Sequence, residues 1–313
     1  MVIKMKSTRI LSKILLLLIL SMVAYLIYTN YDAIIDYGVK IYRKYYDTKK
    51  IIIPAESYNH RIYLYSSVSE TDNFEPNNIE DIKKIYYTVL NNGWTSFAFY
   101  CKEEYETCID DVKRIADSNK DTYIDFINNY VSPYNSYKKY NTQIINNNEI
   151  RLSVEKLYSE EEINRLNNII DSFISKNKIN TSSPTKKDLE KIHDYIIRNT
   201  TYDKNYVKGG EITDSSKATG ALINGVALCS GYSDAFALFL DKLKVPNFKI
   251  TSEEHAWNVI YFNKKWSHID VTWDDDEINK NNNRNFFMIT TTELQKKDKK
   301  DHNFNKDLFK EIK

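Results

Sequence analysis

A chain of 313 residues with 42% hydrophobic and 28% charged residues has the composition of an ordinary folded protein, and it is long enough for two domains. Its net charge of +1 gives no basis for nucleic acid or another polyanion as a partner, so that class of function is set aside.

The N-terminus carries the pattern of a membrane-targeting segment. Four basic residues (Lys4, Lys6, Arg9 and Lys13) precede an apolar run, Ile14 to Tyr28, that only Ser21 interrupts. No small-x-small cleavage site follows it, and the run is apolar on every face, which disfavours a buried core helix. We predict an uncleaved signal-anchor at residues 1–29, with the following chain outside the cytoplasm; a cleaved signal is the alternative. Residues 30–56 are predicted to be a polar stalk.

Residues 57–178 predict a mixed α/β accessory domain without visible chemistry. The expected elements follow the chain: a strand at His60–Tyr65, a helix between a cap at Asn78 and Gly93, a strand at Trp94–Tyr100, a hairpin over 142–157, and a helix opened by the capping box Ser159–Glu162. This domain is expected to position or bind something rather than to catalyse.

Cys101 and Cys108 are either a disulfide pair or two small buried apolar residues. On one continuous helix their Cα atoms would stand about 10 Å apart, beyond the roughly 7 Å that a bridge allows. A bridge therefore requires a break in the helix, which residues 102–104 permit, and we predict the bridge.

A polar linker at 177–183 leads into the second predicted domain, 184–313, which is organised around residues 224–236. Five of the seven glycines fall in this stretch or just before it, as expected where a backbone turns sharply or approaches another segment closely. Apolar residues recur at helical spacing after Cys229, so a helix is predicted to begin at or just before this cysteine. The first turn of a helix favours the thiolate form of a cysteine.

A predicted hairpin follows the helix. Strands at 256–262 and 265–271 flank Asn263–Lys264, and a two-residue turn makes opposed residue numbers sum to 527. In that register His255 and Asp270 are diagonal neighbours on one face of the hairpin, within reach of a hydrogen bond. A shift by one residue would put them on opposite faces.

Cys229, His255 and Asp270 in this order predict nucleophilic catalysis. The thiolate of Cys229 would attack a carbonyl carbon, His255 would carry the proton to the leaving amine, and Asp270 would orient the imidazole. The backbone N–H of Cys229 is the expected first oxyanion donor. Further oxyanion or substrate-binding candidates are Tyr202, Asn224 and Trp257.

Other interpretations of these residues stay open. Cys229 alone would be typical of a buried structural thiol. A zinc site could use Cys229, His255, His268 and Asp270, although no CxxC or HxxxH spacing supports it.

Two more titratable segments are expected to be structural. Asp274–Asp276 lacks the ligand spacing of a calcium loop and predicts a solvated turn. His193 is predicted to be a hydrogen-bonded core residue.

Four segments together resemble the bacterial transglutaminase-like superfamily: Tyr202–Asp203, Asn224–Tyr232, His255–Asn258 and Asp270–Trp273. The resemblance covers roughly residues 185–295. It implies an α+β, papain-like core in which a helix bearing the cysteine packs on antiparallel strands bearing the histidine and the aspartate. It also implies a triad of Cys229, His255 and Asp270. That superfamily includes protein cross-linkers, peptidases, amidases and inactive relatives, so the resemblance leaves the reaction open.

The sequence thus predicts a membrane-anchored, extracytoplasmic cysteine enzyme that uses no cofactor and no metal. Its expected substrates are proteins or peptides, cell-wall peptides among them, with peptide hydrolysis favoured over amine transfer. The alternative is a surface protein that binds a peptide or a cell-wall component on the same fold without catalysis.

Overall fold

The computed structural model describes residues 2–35, 37–38, 51–117, 119, 121–145, 148–206, 212–275 and 283–312. The chain divides into two compact units, Met1–Lys50 and Ile51–Lys313. In the first unit, helix α1 spans Val2–Thr29. Among the described residues no helix is both long and apolar enough to cross a membrane, so the predicted anchor is without support there. Within the predicted stalk, residues 36 and 39–50 lie outside the described residues.

The first half of the second unit is a mixed α/β arrangement around an antiparallel sheet. The strands are β1 (Ser96–Tyr100), β2 (Tyr137–Ile145) and β3 (Glu149–Lys156), in the order β1-β3-β2. The helices are α2 (Ile79–Asn91), α3 (Cys108–Ala116), α4 (Tyr123–Asn128) and α5 (Glu160–Lys176). The predicted hairpin is the β2–β3 pair, in which Ile144 opposes Ile150. The division of this unit at residues 178–184 stays a prediction.

Local capping chemistry sets the helix ends here. Asn78 accepts a hydrogen bond from the backbone of Asp81 at 3.0 Å at the start of α2, and Gly93 follows the helix with a φ of +66°. Ser159 and Glu162 form a reciprocal capping box at the start of α5. These predicted helix ends are confirmed. They could be predicted because each capping contact joins residues only three positions apart.

The predicted strand at His60–Tyr65 is wrong. The segment belongs to none of the described sheets, and its apolar side chains Ile62 and Leu64 are exposed. Arg61 is buried instead, where its guanidinium donates to both carboxylate oxygens of Asp241 at 2.9 and 3.1 Å. Alternating apolar residues predict which side chains of a strand face the core. Here the buried ion pair of Arg61 and Asp241 turns the other side of the segment inward.

The predicted disulfide is present. Cys101 follows β1 and Cys108 begins α3, so the chain between them is not one helix. Their Cα atoms lie 5.7 Å apart, within the range of an ordinary bridge.

The second half of this unit contains helix α6 (Lys186–Asn199), helix α7 (Cys229–Lys242) and helix α8 (Thr291–Lys297). A short parallel pair joins β4 (Thr201–Tyr202) to β5 (Val226–Ala227). The main sheet is antiparallel, in the order β6-β7-β8-β9; its strands are Asn247–Thr251, Ala256–Phe262, Lys265–Ile269 and Phe287–Ile289.

Both faces of the main sheet are covered. Ile260 and Ile269 lie in a hydrophobic cluster with the buried side of α7, including Phe236 and Phe239. On the opposite face Phe248 stacks on Tyr130 from the first half of the unit, with ring centroids 4.7 Å apart. Burial on both faces explains the dense apolar sequence of β7.

Candidate active site

Cys229 is the first residue of α7, as the sequence predicts. The chain reaches it through a tight approach: Gly225 has a φ of +73°, which suits glycine. At Gly231, in the first turn of α7, a Cβ atom would stand only 2.5 Å from the carbonyl oxygen of Ser215, so the turn at 214–216 can lie directly against the helix. The N–H of Leu228 donates to that same oxygen at 2.7 Å. These contacts fix the start of the helix, and with it the thiol.

The predicted hairpin register is confirmed. Phe262 pairs with Lys265 and Asn258 with Ile269, and both pairs sum to 527. The turn residues Asn263 and Lys264 have φ values of +49° and +64°, as a type I′ turn requires.

This register brings His255 and Asp270 together. Nε2 of His255 lies 2.5 Å from Oδ2 of Asp270, and both side chains are buried. The other carboxylate oxygen, Oδ1, accepts the backbone N–H of Trp273 at 3.1 Å. Asp270 is therefore fixed through both of its oxygens.

The two groups shift each other's pKa in opposite directions. Burial alone would lower the pKa of His255, but the charge and hydrogen bond of Asp270, with a further contribution from Cys229, raise it to about 10. Burial alone would raise the pKa of Asp270, but His255 and His302 outweigh it and lower the value to about 2. The pair is thus an imidazolium and a carboxylate at neutral pH.

Cys229 lies close enough to His255 to raise the pKa of the imidazole. Since Nε2 faces Asp270, Nδ1 is the nitrogen left for the sulfur. Contacts between helix and strand fix this geometry: Ser233 Oγ lies 2.9 Å from the carbonyl oxygen of Ala256, and the amide of Asn258 donates to the carbonyl of Ser233 at 3.0 Å. Cys229 is partly exposed, so a substrate can reach the sulfur.

The three further candidates lie in different environments. Tyr202 pairs with Ala227 just before the cysteine, and burial raises its pKa, as do the nearby charges of Cys229, Asp203 and Asp270. Asn224 is exposed and donates to Asp214 at 3.2 Å. The structure thus places Tyr202 near Cys229, whereas the Asn224 amide is engaged by Asp214.

Trp257, the third candidate, is fully buried, and its ring stacks against His255 with centroids 5.6 Å apart. Its indole N–H donates to Nδ1 of His268 at 3.0 Å. In this position the indole packs behind the imidazole and orients it, rather than lining a surface for substrate. Of the two tryptophans beside His255, Trp273 is the one that solvent reaches; it is partly exposed, and its ring centroid lies 6.1 Å from that of His255.

His302 belongs to this site and was missed by the sequence reasoning. Its Nε2 lies 2.8 Å from Oδ2 of Asp270, and its Nδ1 lies 2.9 Å from Oδ2 of Asp298. The one local signal is the spacing of Asp298 and His302, four residues apart just after α8. That spacing predicts a local hydrogen bond but says nothing about Asp270.

A metal is the competing use of this cluster. One ligand atom each from His255, Asp270 and His302 lie within 4.8 Å of one another. Both imidazole nitrogens, however, already lie at hydrogen-bond distance from the same oxygen, Oδ2. A cation bound to all three at about 2.0–2.2 Å from each atom would have to push these contacts apart, so the arrangement fits a hydrogen-bonded chain better than a metal site.

The zinc alternative also required His268. Its Nδ1 accepts from Trp257 and its Nε2 lies 3.0 Å from Oγ1 of Thr291. Burial lowers its pKa to about 3, so the ring is neutral, and both of its nitrogens are engaged away from Cys229.

The prediction of a solvated turn is wrong for Asp274. This residue is fully buried; it accepts from Nε2 of His193 at 3.1 Å and from the backbone N–H of Phe286 at 2.9 Å. Its carboxylate joins α6 to the segment before β9, which a solvated turn would not do. His193 is the hydrogen-bonded core residue expected from the sequence; Asp276 lies outside the described residues.

No family model and no curated protein matches this chain. Among solved structures it is similar to a TGase, with 18% identity and a TM-score of 0.32, over 44% of this chain and 44% of that one. A "putative cysteine protease" from Cytophaga hutchinsonii gives 13% identity and a TM-score of 0.26, over 43% and 61% of the two chains. Menin, whose structure reveals a binding site for Mixed Lineage Leukemia protein, gives 13% identity and a TM-score of 0.31, over 69% and 40%. The matches span less than two thirds of each of these proteins, and TM-scores this low do not establish a shared fold.

Proposed function

We propose that the chain is a cysteine enzyme of the transglutaminase-like type. The observation that carries the proposal is the placement of the partly exposed Cys229 near His255, whose ring lies 2.5 Å from the buried carboxylate of Asp270. A structural thiol needs no such partner. A thiol that attacks a carbonyl needs a base beside it and a third group to hold that base.

The proposed reaction has two steps, formation of a thioester and its breakdown. The Cys229 sulfur forms a bond to the carbonyl carbon, and the carbonyl electron pair moves to the oxygen. That oxygen lies near the first N–H groups of α7, which have no acceptor within the helix. As the C–N bond breaks, Nδ1–H of His255 gives its proton to the departing amine, leaving a thioester.

In the second half His255 takes a proton from the incoming nucleophile, which bonds to the thioester carbon and displaces the sulfur. Water as nucleophile gives hydrolysis, and a primary amine gives transfer. We favour peptide hydrolysis because water needs no second binding site, whereas an acceptor amine does. The substrates proposed are peptide, isopeptide or glutaminyl carbonyls.

The experiment incubates the full chain with a mixture of proteins and a labelled primary amine, with Cys229→Ala as control. New peptide termini that depend on Cys229 support hydrolysis, and incorporated label supports transfer. If neither product forms and a thiolate-reactive probe does not label Cys229, the enzyme proposal is contradicted and a binding protein is favoured.

The cellular location is part of the same proposal: residues 1–29 anchor the chain, and the remainder faces outward. Protease added to intact cells should then digest the Ile51–Lys313 unit. If that unit survives until the cells are lysed, the proposed location is wrong, while the chemistry at Cys229 is untouched.

A further inference from the structure

Oδ2 of Asp270 accepts from two imidazoles rather than one. His255 approaches it at 2.5 Å and His302 at 2.8 Å, and the second imidazole is as deeply buried as the carboxylate. A catalytic triad needs only the first of these contacts. The second contact therefore calls for an explanation of its own.

The ring of His302 has little freedom to turn. It stacks on Phe286 with centroids 5.4 Å apart and nearly parallel planes. The edges or faces of Trp273 and Trp257 meet it at 4.9 and 4.8 Å. Aromatic contacts on several sides hold the direction in which Nε2 points.

The hydrogen bonds of His302 determine its charge. Nδ1 faces Oδ2 of Asp298 and Nε2 faces Oδ2 of Asp270, and an ionised carboxylate can only accept. Both ring nitrogens must then carry a proton, so the ring is an imidazolium. Asp298 is itself fixed, because it also accepts the backbone N–H groups of Asp301 and His302 at 2.9 Å each.

The charged groups thus alternate in sign along one chain of contacts: the His255 imidazolium, the Asp270 carboxylate, the His302 imidazolium and the Asp298 carboxylate. The neighbouring ring of His268 is neutral. Each buried charge therefore has an opposite charge at contact, which is the condition under which such a chain is stable.

We propose that His302 is a positioning residue of the candidate site: it holds Oδ2 of Asp270 where that oxygen binds His255, and so fixes the imidazole against Cys229. This inference rests on the thiol chemistry proposed above. It makes the segment after α8, which carries Asp298 and His302, a necessary part of the site.

Two substitutions in the full chain separate positioning from packing. His302→Phe keeps an aromatic ring between Phe286 and Trp273 but donates nothing to Asp270. His302→Gln loses the ring, yet its amide can donate to Oδ2. If His302 acts by positioning Asp270, His302→Gln should retain the reactivity of Cys229 and His302→Phe should lose it. If the ring only fills space, the opposite result is expected.

The first measurement is the rate at which iodoacetamide alkylates Cys229 at about pH 6, where an unassisted thiol of pKa about 8.5 reacts slowly. His302→Phe should slow alkylation by about 10- to 100-fold, the order of loss that a misplaced catalytic group causes. His302→Gln should stay within about threefold of the parent chain. Equal losses in both variants, or a normal rate in His302→Phe, would overturn the proposal.

The second measurement is the NMR signal of the His255 Nε2 proton, which its bond to Asp270 should shift far downfield. We expect the signal in the parent chain and in His302→Gln, and its loss or displacement in folded His302→Phe. An unchanged signal in His302→Phe would overturn the proposal. If alkylation of the parent chain does not depend on His255 at all, the proposed thiol chemistry fails, and this signal still reports whether His302 positions Asp270.

If His302→Phe does not fold, Asp298→Asn provides a second test of the positioning role of His302. It removes the negative partner of Nδ1, touches neither Cys229 nor His255, and lies at a partly exposed site. We expect a several-fold slower alkylation and a displaced His255 signal. A variant unchanged in both would contradict a positioning role for His302.

Discussion

Nε2 of His255 and Oδ2 of Asp270 lie 2.5 Å apart inside the fold, although the two residues are fifteen positions apart in sequence. The hairpin register produces this contact, since β7 and β8 pair so that both residues stand at the same end of the ladder. The contact makes the imidazolium and the carboxylate mutually dependent. Removing Asp270 leaves the His255 imidazolium buried without its counter-charge, whereas removing His255 leaves Asp270 with His302 as its remaining partner.

Asp270→Asn is expected to reduce both stability and reactivity. The amide offers a weaker acceptor to His255, His302 and the backbone of Trp273, so the free energy of unfolding should fall by about 1–3 kcal/mol. Urea denaturation measures this loss, and alkylation of Cys229 should slow in the same sample. Asp110→Asn, at an exposed position, is the control and should change stability by less than about 0.5 kcal/mol. A variant as stable and as reactive as the parent chain would remove Asp270 from the account.

Protonation of His255 and ionisation of Asp270 should make the stability of the fold depend on pH. Its pKa in the folded chain, about 10, lies above the ordinary value of 6.5, so its contribution is complete below about pH 6.5 and is lost as the pH rises toward 10. The pKa of Asp270, about 2, lies below 3.8, so its contribution is complete above about pH 3.8 and is lost as the pH falls toward 2. Both contributions are complete between these limits.

Denaturation of the parent chain and of His255→Gln across this range tests the assignment. The stability difference between the two should shrink as the pH rises from about 6.5 to 10, because the parent chain loses its imidazolium and the variant has none. A difference that stays constant over the range would mean that His255 does not hold its proton as described.

The disulfide should stabilise the fold without affecting the site. It closes a short loop between Cys101 and Cys108, so replacing both by serine should cost about 2–3 kcal/mol on the chain-entropy relation. Thermal or urea unfolding measures this cost. The rate of Cys229 alkylation in the folded variant should be unchanged; a changed rate would show that the accessory half acts on the site.

Arg61 should contribute more to stability than its position in an irregular segment suggests. Its guanidinium is buried against Asp241 near the end of α7, so Arg61→Ala leaves a carboxylate without its counter-charge and should cost about 3–5 kcal/mol. Ile62→Ala, at the exposed neighbouring position, is the matched control and should cost less than about 0.5 kcal/mol. Equal effects of the two changes on urea midpoints would contradict the buried ion pair.

The hairpin and the helix start could be predicted because each depends on short-range rules. A two-residue turn fixes the register that joins His255 to Asp270, and the glycines before Cys229 mark where the chain must approach the helix closely. His302 could not be predicted, because its contact with Asp270 joins segments 32 residues apart that no ladder connects.

Two errors have one physical cause. The polar residues Arg61 and Asp274 are buried because each meets an opposite or complementary group from a distant segment, Asp241 and His193 respectively. Sequence patterns assign polar residues to the surface, since burial without a partner is costly. Only the folded chain supplies the partner that reverses this assignment.

Activation of Cys229 by His255 is tested most directly by alkylation of this one free thiol. Cys101 and Cys108 are bridged, so iodoacetamide modifies only Cys229 in the folded chain, and peptide mass spectrometry verifies the site. At about pH 6 the parent chain should react about 10- to 100-fold faster than His255→Ala, because only the parent chain stabilises the thiolate with an imidazolium. Equal rates in the two folded proteins would contradict the account.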